Sequence, residues 1–523
     1  MTTQRSEFGT ALNARRRAQD IEYLQSDPED IDMIVIGGGI TGVGVALDAV
    51  TRGLNVVLLE KHDLGFGTSR FSSKLAHGGL RYLAKLEVGI AYHSACERGI
   101  LMEVNAPHLI HKLPQVTILG ADTNIVQKAL IRMGYLAGDM LRIAARTSSK
   151  TLPRSRFANK QRTLELVPTA SREKLVGSWV NFDGQMVDDA RIVTAVARTA
   201  AGEGARILTY TAVDSATGEV VTLTDTLSGK SMTVKAKCVV NATGVWAGGL
   251  DKDIKIRPSR GTHIILDSEL FGNPTGALTV PLPGSFSRYL FILPEQLGRV
   301  FIGLTDEETP GEIPDVPPTP EEDIQFIIEN INRALDKKIS RKDVIGAFTG
   351  LRPLIDQGGN AGTADVSRRH STIEADNGLI SIVGGKYTEF RLMAEEIVDE
   401  VLSRRNLPAS GCVTRNFPYV GARAHREFRD VRPEQLHGLP QSLVERYGYE
   451  APTVVEAATL SQPLAKVAGL DITRAEFEYA VTHEGALTEG DILDRRTRVG
   501  LVEKDRVAAA PVAREVLQLH NLG

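Results

Sequence analysis

The stretch that most constrains this chain is residues 31–60. There an apolar run, Met33-Ile34-Val35-Ile36, ends abruptly in Gly37-Gly38-Gly39-Ile40-Thr41-Gly42-Val43-Gly44. A strand, a tight turn and a helix follow from that pattern. Gly37, Gly39 and Gly42 stand at G-x-G-x-x-G spacing, which lets the backbone turn, approach a pyrophosphate and pack the next helix closely on the strand. The phosphates then meet unpaired N–H groups at a helix N-terminus. A second apolar strand, Asn55-Val56-Val57-Leu58-Leu59, ends in Glu60, an acid placed to hydrogen-bond an adenosine ribose. A glycine pattern alone is weak, but strand, helix, strand and terminal acid together predict a dinucleotide site.

At 523 residues the chain exceeds the size of a single core, so two or three domains are expected. Its net charge of −4 leaves no whole-protein footprint for nucleic acid, and any anion site must be local. Cys96, Cys238 and Cys412 are too few and too scattered for a disulfide framework or a metal cluster, which fits a reducing, cytoplasmic setting. No window approaches the 18 or so apolar residues of a membrane span.

Residues 1–30 are polar and read as a mobile or loosely docked extension with a short helix, most simply a solvated arm. The block from Gly65 to Tyr82 then crowds glycines, hydroxyls and cations together, including Ser72-Ser73-Lys74-Leu75-Ala76-His77-Gly78-Gly79-Leu80-Arg81-Tyr82. So many donors need acceptors, and a phosphate and a flavin ring would supply them. Residues 121–156 are basic and roughly amphipathic; they read equally as a core-facing helix with a solvated cationic face and as a segment lying on an anionic membrane. Asp188-Asp189 reads as N-terminal charge for the apolar helix that follows.

Cys238-Val239-Val240-Asn241-Ala242-Thr243-Gly244 is a buried strand running into a small-residue turn, and residues 261–305 hold three β-rich runs that predict an antiparallel substrate sheet. Leu379-Ile380-Ser381-Ile382-Val383 runs into Gly384-Gly385-Lys386-Tyr387-Thr388, a second strand–glycine–helix unit suited to the far end of a dinucleotide. The remainder, from about Pro418, reads as helical and charged.

Five ordered blocks make the chain resemble the FAD-dependent, respiratory glycerol-3-phosphate dehydrogenases among the amino-acid-oxidase-like flavoproteins. They are the Ser72 to Tyr82 block, Asn241-Ala242-Thr243-Gly244-x-Trp246, Gly303-x-Thr305-Asp306, Arg352-Pro353-Leu354 and Gly384-Gly385-Lys386. The resemblance implies a discontinuous Rossmann-like FAD-binding domain (31–115, 175–260 and 345–405) and an antiparallel-sheet substrate domain (116–174 and 261–344). A helical C-terminal domain (416–523) would follow them. It also implies oxidation of glycerol 3-phosphate by hydride transfer to FAD, with electrons passed to a membrane quinone. Peripheral attachment to the inner face of the cell membrane and a homodimer are compatible with it; no metal is expected.

By the same resemblance Arg81, Tyr82, Thr305, Arg368 and Lys386 bind substrate, Arg368 being taken over its neighbour Arg369. Arg352 polarises the oxygen that becomes a ketone, and His77 and His263 are the candidate bases, imidazole being the side chain that titrates near neutrality. Gly37, Gly39, Gly42 and Glu60 would hold the ADP half of FAD, with Ser72, Ser73, Gly244, Gly385 and Thr388 nearer the flavin. Three other readings stay open: an oxidase of the same fold that reduces oxygen, a non-catalytic flavin-binding protein, and a nicotinamide dehydrogenase.

Overall fold

A computed structural model describes residues 7–84, 87–120, 125–282, 288–303, 305–309, 311–356 and 370–522. Strand Met33–Ile36 is buried at every position and runs parallel to Val56–Leu59 on one side and Cys238–Asn241 on the other. All three read as continuous apolar runs because both faces of the sheet are covered, one by helices and the other by a three-stranded antiparallel sheet (Thr211–Ala216, Val220–Asp225 and Lys230–Lys235) together with the N-terminal helix. Arg206–Leu208 and Ile380–Gly384 extend the parallel set, and the antiparallel His370–Glu374 closes one edge, giving six strands. Helix Ile40–Thr51 begins inside the glycine stretch and packs between helices Asp189–Gly202 and Phe390–Arg405.

The second sheet has ten strands. Ile256–Asp267 lies one strand in from one edge, between Arg299–Gly303 and Gly346–Ile355. The predicted runs at 261–305 are present, but long strands Ile110–Gly120 and Leu175–Met186 complete the sheet, and Ala277–Pro281 joins it through a parallel pairing. The expectation of a purely antiparallel sheet is corrected at that one pairing. Helices from Gln441–Tyr447 to Glu503–Leu519 form the C-terminal part around a separate apolar cluster that includes Phe477, Ile492 and Val516.

The N-terminal segment is not a solvated arm. Helix Ala14–Gln25 is capped by the Asn13 side chain, and Ile21 and Leu24 are buried against the outer sheet face. Arg16, itself buried, donates to the carbonyls of Ala201 and Ala205, while Arg17 pairs with Asp225 at 2.6 Å. The polar composition misled because the arginines bury their stems while finding backbone acceptors.

Asp188 and Asp189 do begin helix Asp189–Gly202: the Asp188 side chain accepts from the Arg191 N–H. Asp189 does more, turning inward to accept from Ser72 and from the buried Lys74 at 2.7 Å.

Candidate active site

The glycine turn is built by close approach. Gly37 has φ of +111°, and a Cβ there would lie 2.7 Å from the Ala242 carbonyl oxygen, so only glycine lets the first and third parallel strands end side by side. A Cβ on Gly42 would lie 1.8 Å from the Gly37 oxygen. Helix Ile40–Thr51 starts from Gly39 without a side-chain cap, although the Ile40 N–H reaches Ser69 Oγ at 2.9 Å. At the end of the second strand Glu60 accepts from the N–H groups of Gly38 (2.5 Å) and His62 (2.8 Å). Burial pushes its carboxyl above the ordinary value, against the pull of those two donors.

A continuous cavity of about 2120 Å³ starts here. Gly37, Gly39 and Glu60 line it, and so do Ser72, Ser73, Gly244, Gly385 and Thr388 and the set His77, Tyr82, Thr305, Arg352 and Lys386. Gly42 does not line it. Its lack of a side chain is required by packing against Gly37, the close helix–strand approach expected of the third glycine. The volume exceeds the roughly 300–1,000 Å³ of ordinary small-molecule pockets. A bare helix N-terminus, an acid and open space over Gly244 (φ +62°) fit an FAD.

Arg352, a lining residue, is held as a fixed fork. Its Nη1 donates to Ser259 Oγ (3.1 Å), the Arg260 carbonyl (3.3 Å) and Asp306 Oδ1 (3.3 Å), and its Nη2 to the Thr305 carbonyl (3.1 Å). Thr305 is buried, and its hydroxyl accepts from the Thr262 N–H at 2.9 Å. Lys386 Nζ donates to Glu389 (2.9 Å) and Ser94 (3.2 Å) and stands 3.8 Å above the Tyr82 ring, a cation–π contact. Arg81 falls in the short helix Leu80–Ala84, but its side chain lies outside the described residues, as do Arg368 and Arg369.

The two histidines part company. His77 is half-exposed, lines the cavity, and places Nδ1 3.2 Å from Asp183 Oδ2. Burial would raise the Asp183 carboxyl, yet Arg98 at 2.6 Å and His77 outweigh it and hold the group below its ordinary value. A carboxylate on Nδ1 orients the ring and leaves Nε2 as the exchanging nitrogen. His263 is fully buried and does not line the cavity. Burial, then Lys74 and Arg352, push its pKa down to about 3, which removes it as a base facing substrate.

Residues that sequence reasoning did not single out stand behind these. Lys74 and Asp306 were inside quoted blocks, so their signal was present. Asp183 and the C-terminal arginines gave none: Arg495 and Arg496 close on Asp63, and Arg498 on Asp188 and the Arg70 carbonyl, from more than 300 positions away.

A dinucleotide turn sharing one cavity with held cations and an oriented imidazole is the arrangement of a flavin-dependent oxidoreductase. Comparison with known proteins gives the same class: the family described as FAD dependent oxidoreductase matches residues 32–389, and the C-terminal domain of alpha-glycerophosphate oxidase matches residues 412–521. The chain is 55% identical to glycerol-3-phosphate dehydrogenase 1 of Mycobacterium tuberculosis, covering 97% of this chain and 98% of that protein. It is 34% identical to the mitochondrial glycerol-3-phosphate dehydrogenase of Homo sapiens, over 93% of this chain and 70% of that one. The structure of the glycerol-3-phosphate dehydrogenase from Bacillus halodurans complexed with FAD superposes with a TM-score of 0.75 at 27% identity, covering 98% and 94% of the two chains. The chain belongs to the family of FAD-dependent glycerol-3-phosphate dehydrogenases.

Proposed function

We propose that the protein oxidises the C2 alcohol of glycerol 3-phosphate to dihydroxyacetone phosphate and passes the electrons to a respiratory quinone. The observation that carries the reading is that Arg352, Lys386, Tyr82 and His77 line the same cavity as the dinucleotide turn. Bound FAD supplies a hydride acceptor. The protein's residues do the rest. Lys386 offers a charge to the phosphate, and Tyr82 braces it from below. The Arg352 fork, immobilised by Asp306 and backbone carbonyls, is placed to stabilise charge on the substrate's C2 oxygen. His77, oriented by Asp183, takes the hydroxyl proton.

Charge-assisted hydrogen bonds are each worth about 1.5–3 kcal/mol. Lys386→Met is therefore expected to raise KM for glycerol 3-phosphate by roughly 10- to 100-fold while FAD content stays that of the wild type. Steady-state kinetics with FAD quantified in the same preparations checks it; an unchanged KM would remove Lys386 from the phosphate site.

Membrane contact is part of the reading, and helix Ile125–Ala144 supports it. Leu130, Met133 and Met140 are each more than half exposed on one face, together with Val126 and Ile143. The helix presents its apolar side outward, while Arg132 stacks over Trp179 and Arg142 is buried on the Thr147 carbonyl. Arg146, Lys150 and Arg154 remain exposed beyond its end, suited to anionic headgroups. No helix among the described residues is long and apolar enough to cross a membrane. Leu130, Ile131 and Met133 also line the cavity, so an apolar acceptor in the lipid would have a way in beside this helix. Leu130→Glu with Met133→Glu is expected to cut the protein co-sedimenting with anionic vesicles at least about tenfold, since each buried aliphatic side chain is worth about 1.5–3 kcal/mol. Undiminished sedimentation would refute this face as the contact.

The activity itself is tested by product. Incubation with glycerol 3-phosphate and a soluble quinone analogue should yield dihydroxyacetone phosphate in step with quinol. Stoichiometric peroxide in air, with the quinone left oxidised, would establish the oxidase instead.

A further inference from the structure

His263 is removed from proton abstraction by its burial, yet it is held with more care than a filler residue needs. Its ring stacks parallel to Phe348 at 4.8 Å and 16°. It presses so closely on strand Arg299–Gly303 that a Cβ on Gly303 would come within 2.4 Å of it. One ring nitrogen, Nε2, lies 3.0 Å from Ser73 Oγ; the other, Nδ1, has no partner among the described residues. Ser73 lines the cavity, and its hydroxyl has no other hydrogen-bond partner among the described residues.

These contacts decide where the single proton of a neutral imidazole sits. On Nδ1 it would be a buried N–H without an acceptor, a rare and costly arrangement. On Nε2 it is donated to Ser73 Oγ, and only an acceptor lone pair is left bare on Nδ1. The charged groups facing the ring, Lys74, Arg352 and Asp189, include two cations, which oppose a second proton. With its oxygen already accepting from His263, Ser73 has its own hydrogen to give away, and the cavity is where it can give it.

We propose that His263 is a positioning residue: it makes the Ser73 hydroxyl a directed hydrogen-bond donor to the flavin ring bound in the cavity. The inference rests on the reading of the cavity as the FAD site. A donor at that position favours the more electron-rich, reduced form, because hydrogen bonds to charged acceptors are roughly twice as strong as neutral ones. No bond is made or broken by the pair; the proton stays on Nε2 throughout.

The test is the reduction potential of the holoenzyme's flavin, measured without substrate by equilibration against a reference dye. Ser73→Ala is expected to lower the reduced-to-oxidised ratio at a given potential by about tenfold. His263→Phe, which keeps the stack on Phe348 and loses the N–H, should do the same, and the double variant should shift no further. His263→Gln, which retains a donor, should recover part of the effect. If His263→Phe does not fold, Ser73→Ala and His263→Gln still decide. An unshifted potential in Ser73→Ala overturns the proposal, and so does a His263→Phe shift that simply adds to that of Ser73→Ala. Because no substrate is used, these outcomes are separate from failure of the substrate assignment, which would appear as wild-type flavin that glycerol 3-phosphate does not reduce.

Discussion

Arg352→Ala is expected to lower kcat/KM for glycerol 3-phosphate by roughly 100- to 1,000-fold, mostly through kcat. The guanidinium reaches the cavity already locked by Ser259, Asp306 and two carbonyls, so it needs no reorganisation when charge develops on the substrate oxygen. Removing one such preorganised donor typically costs about 2.7–4 kcal/mol of transition-state stabilisation. Arg352→Lys keeps a charge but loses the planar fork that fits Asp306 and the Thr305 carbonyl together, and should fall between wild type and alanine. Presteady-state flavin reduction checks both variants. A loss confined to KM would place Arg352 among the ground-state binding groups and not at the reacting carbon.

The second large effect is on the joint between the FAD-binding elements and the C-terminal helices. Asp63 is fully buried just past Glu60 and accepts from Arg495 Nε (2.6 Å), Arg496 Nη1 (2.8 Å) and Arg496 Nη2 (2.7 Å). Asp63→Ala leaves two buried guanidinium groups short of their anion, which costs about 3–5 kcal/mol when one partner of a buried pair is removed. The expected result is faster amide hydrogen exchange through residues 489–519, together with weaker FAD retention, since Arg495 also stacks on Phe66, a residue lining the cavity. Exchange rates equal to wild type would show that the apolar cluster alone holds the domain. Burial would raise the Asp63 carboxyl, but Arg496 and Arg495 hold it below the ordinary value. Its contribution is therefore complete above the unfolded aspartate value of about 3.9 and is lost as the pH falls through the depressed folded one.

Much of the cofactor site could be read in the chain because its determinants are local. Met33–Ile36, the glycines and Val56–Leu59 lie within 30 residues, and each element's requirement shows in its own residues. The same holds for Ile380–Gly384 and the turn that follows it. Arg352, Lys386 and Tyr82, each within a block legible in the sequence, line one cavity.

What stayed hidden depends on partners distant in sequence or on which face of an element turns inward. Alternation in strand Ile256–Asp267 cannot tell whether His263 meets the cavity or Phe348, and it meets Phe348. The helix at 125–144 has the amphipathic pattern of a core helix, but Arg132 and Arg142 find partners inside, and Val126, Leu130, Met133, Met140 and Ile143 stay outside while Tyr135 and Leu141 are buried. The polar start of the chain docks because Arg16 and Arg17 find acceptors near residues 201–225. Arg495, Arg496 and Arg498 lie in a stretch that the sequence marks only as helical and charged, and only the tertiary fold supplies Asp63 and Asp188.

The most direct test of the central claim is anaerobic. Purified holoenzyme is mixed with glycerol 3-phosphate, and separately with glycerol, and the flavin absorbance is followed. Bleaching by the phosphate ester alone is the predicted result, since only that substrate engages the fixed cations beside His77. Bleaching by neither compound, or equally by both, would contradict it.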